Sequence, residues 1–210
     1  MASFGGFHSE DFEVFSVPDF AERMAEIRAR IRPRLVELGE DLAAGVEAEV
    51  GLSTFPHAAQ HMRRRVNPPA ETWVAFGRDR KGYKRWTHFR FAIRASGVRV
   101  TVFVEDDADD KPAFAACLAA QAAPLLAAVG GPEGLHCDGL AEGAVLSAAS
   151  LADLGVRLAR LKGLKFQAGV ALPAAAAAAL TPAALEAWAL GQIQRLKPLY
   201  VAGAAGEFRS

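Results

Sequence analysis

The chain has 210 residues, 51% apolar and 23% charged, and its 24 basic and 24 acidic side chains cancel to a formal charge of zero. That size and composition suit one sizeable core and exclude a disordered chain. Two cysteines, Cys117 and Cys137, exclude a disulfide-stapled scaffold and point to a reducing compartment. With neither a basic start nor a continuous apolar run opening the chain, a cytoplasmic location is expected.

In the first part of the chain, Phe20, Met24, Ile27, Ile31, Leu35, Leu38 and Leu42 recur at spacings of three and four. That spacing predicts one buried helix face. Ser16 and Asp19 are suitable caps, Pro18 suits a helix start, and Pro33 is expected to bend or split the helix. Pro56 is expected to open a short helix over PHAAQHMRRR, with NPP breaking it and a strand following at 72–76. The sequence GRDRKGYK reads as a loop. Phe89, Phe91 and Ile93 then alternate with polar or small residues, and Val98, Val100, Val102 and Val104 do the same after a turn at Ser96 and Gly97. This pattern predicts a β-hairpin over about 87–105 with one buried face.

Asp109, Asp110 and Pro112 are expected to start a long Ala/Leu helix. Its segment 113–131 is apolar, but alanine dominates it and Gln121 and Pro124 interrupt it, so a buried helix is expected rather than a membrane span. Residues 135–139 read as at most a short strand. Ser150 and Asp153 resemble a capping box ahead of a helix, and 164–172 is a second strand segment. Six alanines at 174–179 form a helical connector, and Thr181 and Pro182 open the last helix. Helices around an antiparallel hairpin define an α+β class: a single-domain sandwich over 1–210, with a mostly antiparallel sheet packed by helices.

The neutral total conceals a polarity. Residues 61–99 hold eleven lysines and arginines against Glu71 and Asp79, a net of +9, which leaves −9 for the remainder. Aromatic residues are interleaved with these charges, a combination that suits a phosphate-bearing ligand, nucleic acid or nucleotide. Arg63, Arg64, Lys81 and Lys84 would meet phosphates, Tyr83 would stack, and Asn67 would read a polar edge. Trp86 is a second stacking residue, whereas Trp73 and Phe89 are expected in the core.

Two other readings use the same residues. In one, an enzyme acts on a small anionic substrate with His57, His61 or His88 as general acid or base. In the other, the arginines pair with acidic helices and the motif locks the fold. No metal or cofactor is expected, because HAAQH lacks the glutamate of HExxH and the surrounding arginines oppose a divalent cation. Neither GxSxG nor a phosphate loop is present, and Cys137 between His136 and Asp138 in a strand faces away from both. Asp106, Asp107, Asp109 and Asp110 read as a solvated turn and helix cap.

The stretches DFEVFSV, RMAEIRARIRPRLVELG, FPHAAQHMRRRVNPPAETWVAFGRDRKGYKRWTHF and LKPLY resemble the YktB-like family of uncharacterised bacterial proteins. The resemblance runs over about 11–200 and is densest at 55–91. It implies a compact α+β domain and marks His57, His61, Arg63, Arg64, Asn67, Tyr83, Lys84 and His88, with no established activity. The family commonly has lysine where Gln60 stands, aspartate at Glu71, arginine at Lys81 and proline at Thr87.

Overall fold

A computed structural model describes residues 3–62 and 65–204. The chain opens with α1 (Ser9–Glu13), a 3₁₀ turn (Val14–Ser16) and α2 (Phe20–Glu26), where the Asp19 carboxylate accepts from the Glu22 N–H as the cap. Residues 9–16, ahead of the predicted helix, are therefore helical as well. A widened π turn (Ile27–Ile31) leads into α3 (Arg32–Val50). Pro33 sits in the first turn of α3, so its missing N–H falls directly after the π turn, and the predicted split is a change of helix type. Ile27, Ile31, Leu35, Leu38 and Leu42 are all buried, as their spacing requires.

Strands β1 (Phe55–Ala58), β2 (Glu71–Gly77), β3 (His88–Arg94) and β4 (Gly97–Val104) follow. Next come α4 (Lys111–Ala128), β5 (Leu135–Asp138), α5 (Ala148–Arg160), β6 (Phe166–Pro173), α6 (Ala174–Ala179) and α7 (Pro182–Ala204). The strands form one antiparallel sheet in the order β1-β2-β3-β4-β6-β5. The hairpin is as predicted, with Phe91 opposite Val100 and Ile93 opposite Val98.

Three expectations need correction. The helix expected from Pro56 is instead edge strand β1, with Pro56 opposite Phe76. Proline disfavours helical backbone at the preceding residue, and an edge strand tolerates its missing N–H, so pairing with β2 wins. The capping box before α5 is formed by Ser147 and Ser150, three residues ahead of the pair the sequence suggested. The helices do not surround the hairpin either. Phe89, Phe91, Ile93 and the alternating valines of β4 share a core with α3, α4 and α7, so the helices lie on one face.

α4 buries Phe114, Ala115, Leu118, Ala122 and Leu126 and packs against α5 and α7, as a core helix does. Gln121 leaves helical geometry (φ −123°, ψ 23°) three residues before Pro124. Close contact with α5 depends on Gly155, where an added Cβ would lie 2.5 Å from the Ala119 nitrogen and 2.8 Å from the Ala115 carbonyl oxygen. These are backbone atoms and cannot swing aside. Gly155→Ala is therefore expected to separate the helices and cost about 1–3 kcal/mol, measured by urea unfolding.

Candidate functional site

Alternate residues of the sheet point away from the helices: Trp73 and Ala75 on β2, His88 and Arg90 on β3, Thr101 and Phe103 on β4, and Gln167 and Gly169 on β6. The loop 78–87 folds back over this second face. Gly77 permits the approach, because a Cβ there would lie 2.7 Å from the Tyr83 Cα. His57 Nε2 donates to the Asp79 carbonyl (2.9 Å), and Trp73 Nε1 donates to the Tyr83 hydroxyl (3.2 Å). The hairpin is thus buried on both faces from His88 to Ile93, where alternation alone had predicted one. Trp73, expected in the core, lies half-buried on this second face, while Phe89 is in the core as expected.

Arg90 is the centre of the arrangement. Its guanidinium lies 3.4 Å from the Phe103 ring centroid, 4.6 Å from that of Trp73 and 5.4 Å from that of Tyr83. Its Nη2 donates to Glu105 Oε1 at 2.7 Å, and both side chains are about 5% exposed (5% and 6%). Lys165 Nζ meets the other Glu105 oxygen at 2.6 Å. Burial pushes the Glu105 carboxyl up, but Lys165 and Arg90 outweigh it and hold the carboxyl below its ordinary range. Burial also lowers the Arg90 pKa, against the pull of Glu105.

His88 is fully buried beneath this group. Its Nδ1 donates to the Trp86 carbonyl (2.8 Å), and its Nε2 accepts from Arg90 Nε (2.9 Å), which fixes the neutral tautomer. Burial, then the charge of Arg90, hold its pKa well below the ordinary histidine value. The unfolded chain therefore takes up this proton first. Stability is fully present above about pH 6.5 and falls as the pH drops toward the folded pKa, by at most about 1.4 kcal/mol per pH unit from this residue. Denaturant titrations between pH 7.5 and pH 5 (a range chosen around about 6.5) should show that slope, and His88→Gln should flatten it.

Two adjoining pockets flank Tyr83. One, of about 650 Å³, is lined by His61, Trp73, Tyr83, Lys84, Glu105 and Lys165, with Met62 and Asp107 at its edge. The other, of about 500 Å³, is lined by His57, Asp79, Lys81, Tyr83, Lys84 and Arg85. Ala59, Gln60, Tyr83 and Lys84 belong to both and form the wall between them. His61 is the one non-glycine residue with positive φ among the described residues (51°). Such backbone strain persists where surrounding contacts hold it, and here Thr72 Oγ1 pairs with the His61 Nε2 at 3.0 Å while the ring meets Trp73 edge-on.

The structure thus brings together Lys81, Tyr83, Lys84, His57 and His61, with His88 beneath them. Asn67 is exposed on the 65–70 segment and lines neither pocket. Arg63 and Arg64 lie outside the described residues. With β1 extended, His57 and His61 do not share a helix face, and they line different pockets. Among the described residues, no three His, Cys, Asp or Glu side chains converge as a metal-ligand set.

Several of the eleven basic residues are occupied within the fold. Arg85 pairs with Asp109, Arg90 with Glu105, and Arg99 with Glu71 and Asp138. Arg78 Nε donates to the Tyr200 hydroxyl, and its guanidinium stacks on Trp86. Lys81 and Lys84 are exposed, and neither side chain has a partner among the described residues. The acidic turn is likewise more than a solvated cap: Asp110 takes the Thr87 N–H, and Asp106 pairs with Lys111 and the Gly163 N–H. Cys137 faces the core while His136 and Asp138 face the open side, as strand geometry predicts. Burial and Asp138 push its thiol up to about 12.

Arg90, Phe103, Glu105 and Lys165 were missed as site residues by sequence reading. Arg90 had a signal, because it alternates with Phe89 and Phe91. Lys165 had none, since only the pairing of β6 with β4 brings it to Glu105.

Fold and site define an α+β protein with helices on one sheet face and an aromatic, basic pocket on the other. The chain belongs to the DUF1054 family, described as a domain of unknown function, whose model matches residues 7–200. The match agrees with the YktB-like resemblance carried by the motif. UPF0637 proteins of Bacillus thuringiensis (strain Al Hakam), Bacillus cereus (strain Q1) and Bacillus anthracis (strain CDC 684 / NRRL 3495) are each 46% identical over 87 residues. That alignment spans 41% of this chain and 42% of each relative.

Proposed function

We propose that the protein binds a phosphate-bearing ligand, a nucleotide or a nucleic-acid strand, in the two pockets flanking Tyr83. The observation that carries this reading is the wall of Tyr83 and Lys84, which sets a half-exposed ring beside an ammonium without a protein partner. A base stacks against Tyr83 and Trp73, and phosphate meets Lys84 and Lys81. The surrounding arginines mostly hold the loop and sheet, so phosphate contact falls to the lysines. Arg63 and Arg64 lie outside the described residues, and their part in the proposal rests on the charge pattern of the sequence alone.

The burial of His88 disfavours the enzymatic alternative for that residue, because both of its ring nitrogens are engaged. His57 and His61 remain at the pocket margins and would orient ligand.

Fluorescence anisotropy with labelled single-stranded DNA, duplex DNA and RNA, beside calorimetry with nucleoside monophosphates, tests the reading. Affinity should fall steeply with salt for a polymer, and Lys84→Ala should lower the magnitude of the salt slope by about one. Arg63→Ala/Arg64→Ala should weaken binding further. If Lys81→Ala/Lys84→Ala bound every probe as well as the parent protein, the assignment would be wrong.

A further inference from the structure

The turn between β4 and α4 carries Asp106, Asp107, Asp109 and Asp110, and the fold occupies all but one of them. Asp106 pairs with Lys111 and the Gly163 N–H, Asp109 pairs with Arg85, and Asp110 takes the Thr87 N–H. Asp107 is exposed, with neither a hydrogen bond nor an ion pair among the described residues. It lines the larger of the two pockets flanking Tyr83, in company with Trp73, Tyr83, Lys84, Glu105 and Lys165.

Most of the charge in that pocket is already matched. Arg90 and Lys165 each hold one oxygen of Glu105. That leaves one ammonium, Lys84, and one carboxylate, Asp107. Lys84 stands in the wall shared with the smaller pocket, where Lys81 adds a second cation. The two pockets therefore differ in kind. Phosphate is drawn to the lysines and repelled by Asp107, so the larger pocket is left for the base. Its volume of about 650 Å³ falls within the span of about 300–1,000 Å³ usual for small-ligand sites.

We infer, on the reading of this site as a nucleotide pocket, that the larger pocket selects guanine, with Asp107 accepting from the ring N–H and the exocyclic amino group. An ionised carboxylate only accepts, and it can take two parallel N–H donors at once. Among the common bases, guanine alone presents two adjacent donors on one edge. Adenine and cytosine set the amino group beside a ring nitrogen whose lone pair would face the carboxylate. Uracil has one N–H between two carbonyls. The guanine ring would lie against Tyr83 and Trp73, which the Trp73 Nε1–H bond to the Tyr83 hydroxyl (3.2 Å) holds together. A site that hydrogen-bonds a polar edge rejects analogues lacking it, because its own polar group is then left unpaired.

The test is calorimetry of the full chain with the monophosphates of guanosine, inosine, adenosine, cytidine and uridine. The guanosine nucleotide should bind about tenfold more tightly than the inosine nucleotide, which lacks the amino group, and more tightly still than the adenosine nucleotide. Asp107→Asn replaces one acceptor by a donor, which suits the amino group and ring nitrogen of adenine. In that variant the guanosine nucleotide should weaken about tenfold, and the adenosine nucleotide should overtake it. Lys84→Ala should instead weaken all the nucleotides by a similar factor, because they share the phosphate. Equal affinities, weakened together by Lys84→Ala, would overturn the guanine assignment and leave the nucleotide reading standing. So would an unchanged ranking in Asp107→Asn. Failure of every nucleotide to bind at millimolar concentration would overturn both.

Discussion

Arg90→Ala is expected to cost about 3–5 kcal/mol of unfolding free energy, the range for breaking a buried ion pair. Glu105 would remain almost fully covered with only Lys165 to meet it, and His88 Nε2 would lose its donor. The rings of Phe103, Trp73 and Tyr83 would also lose the cation they enclose, worth about 2 kcal/mol when desolvated. Urea denaturation of the parent and variant measures the sum. Replacing both partners with apolar residues, as in Arg90→Met/Glu105→Leu, should recover part of the loss, because no buried charge is then left without its mate. A cost below about 1 kcal/mol for Arg90→Ala, the scale of a surface pair, would mean that the group does not hold the loop 78–87 on the sheet. The same variant should weaken nucleotide binding, since the wall between the pockets rests on Arg90 through Tyr83.

Asp11→Ala is the second large effect, expected at about 3 kcal/mol, at the upper end for hydrogen bonds to a charged group. The Asp11 carboxylate is completely buried and accepts from the His8 N–H at 2.8 Å, from Arg34 and from Arg30. It holds the N-terminal segment in place, so that Phe4, Phe7 and Phe12 fill the core and Phe7 stacks on Phe91 with centroids 6.1 Å apart. Arg30 and Arg34 are partly exposed and can turn to water, which keeps the cost below that of Arg90→Ala. Hydrogen exchange should quicken first in residues 4–17. Exchange that quickened only in α3 would show that the carboxylate serves the helix rather than the segment.

The parts of the fold that repeat locally were legible in the sequence. The buried face of α2 and α3 follows from apolar spacing alone, and the β3–β4 hairpin from alternation around Gly97. β1 was not legible, because a four-residue strand has too few positions to show a period, and its partner lies beyond NPP. For the site, the motif at 55–91 holds Tyr83, Lys84, His57, His61 and His88, which the fold brings together around the two pockets. It did not separate cations that serve the fold from those left for a ligand. Arg85, Arg90 and Arg99 find their acids at Asp109, Glu105 and Glu71, contacts that only the sheet register creates. Lysine at positions 81 and 84 looks no different from these arginines in a charge count, yet each stands exposed beside Tyr83.

Amide NMR mapping of a nucleoside monophosphate on the full chain, against Lys84→Ala, tests the central claim most directly. The account predicts shifts at residues 59–61 and 82–84, reduced in the variant, with Gly97 and Gly169 undisturbed. Shifts confined to the opposite end of the sheet, or a parent and variant that respond alike, would contradict it.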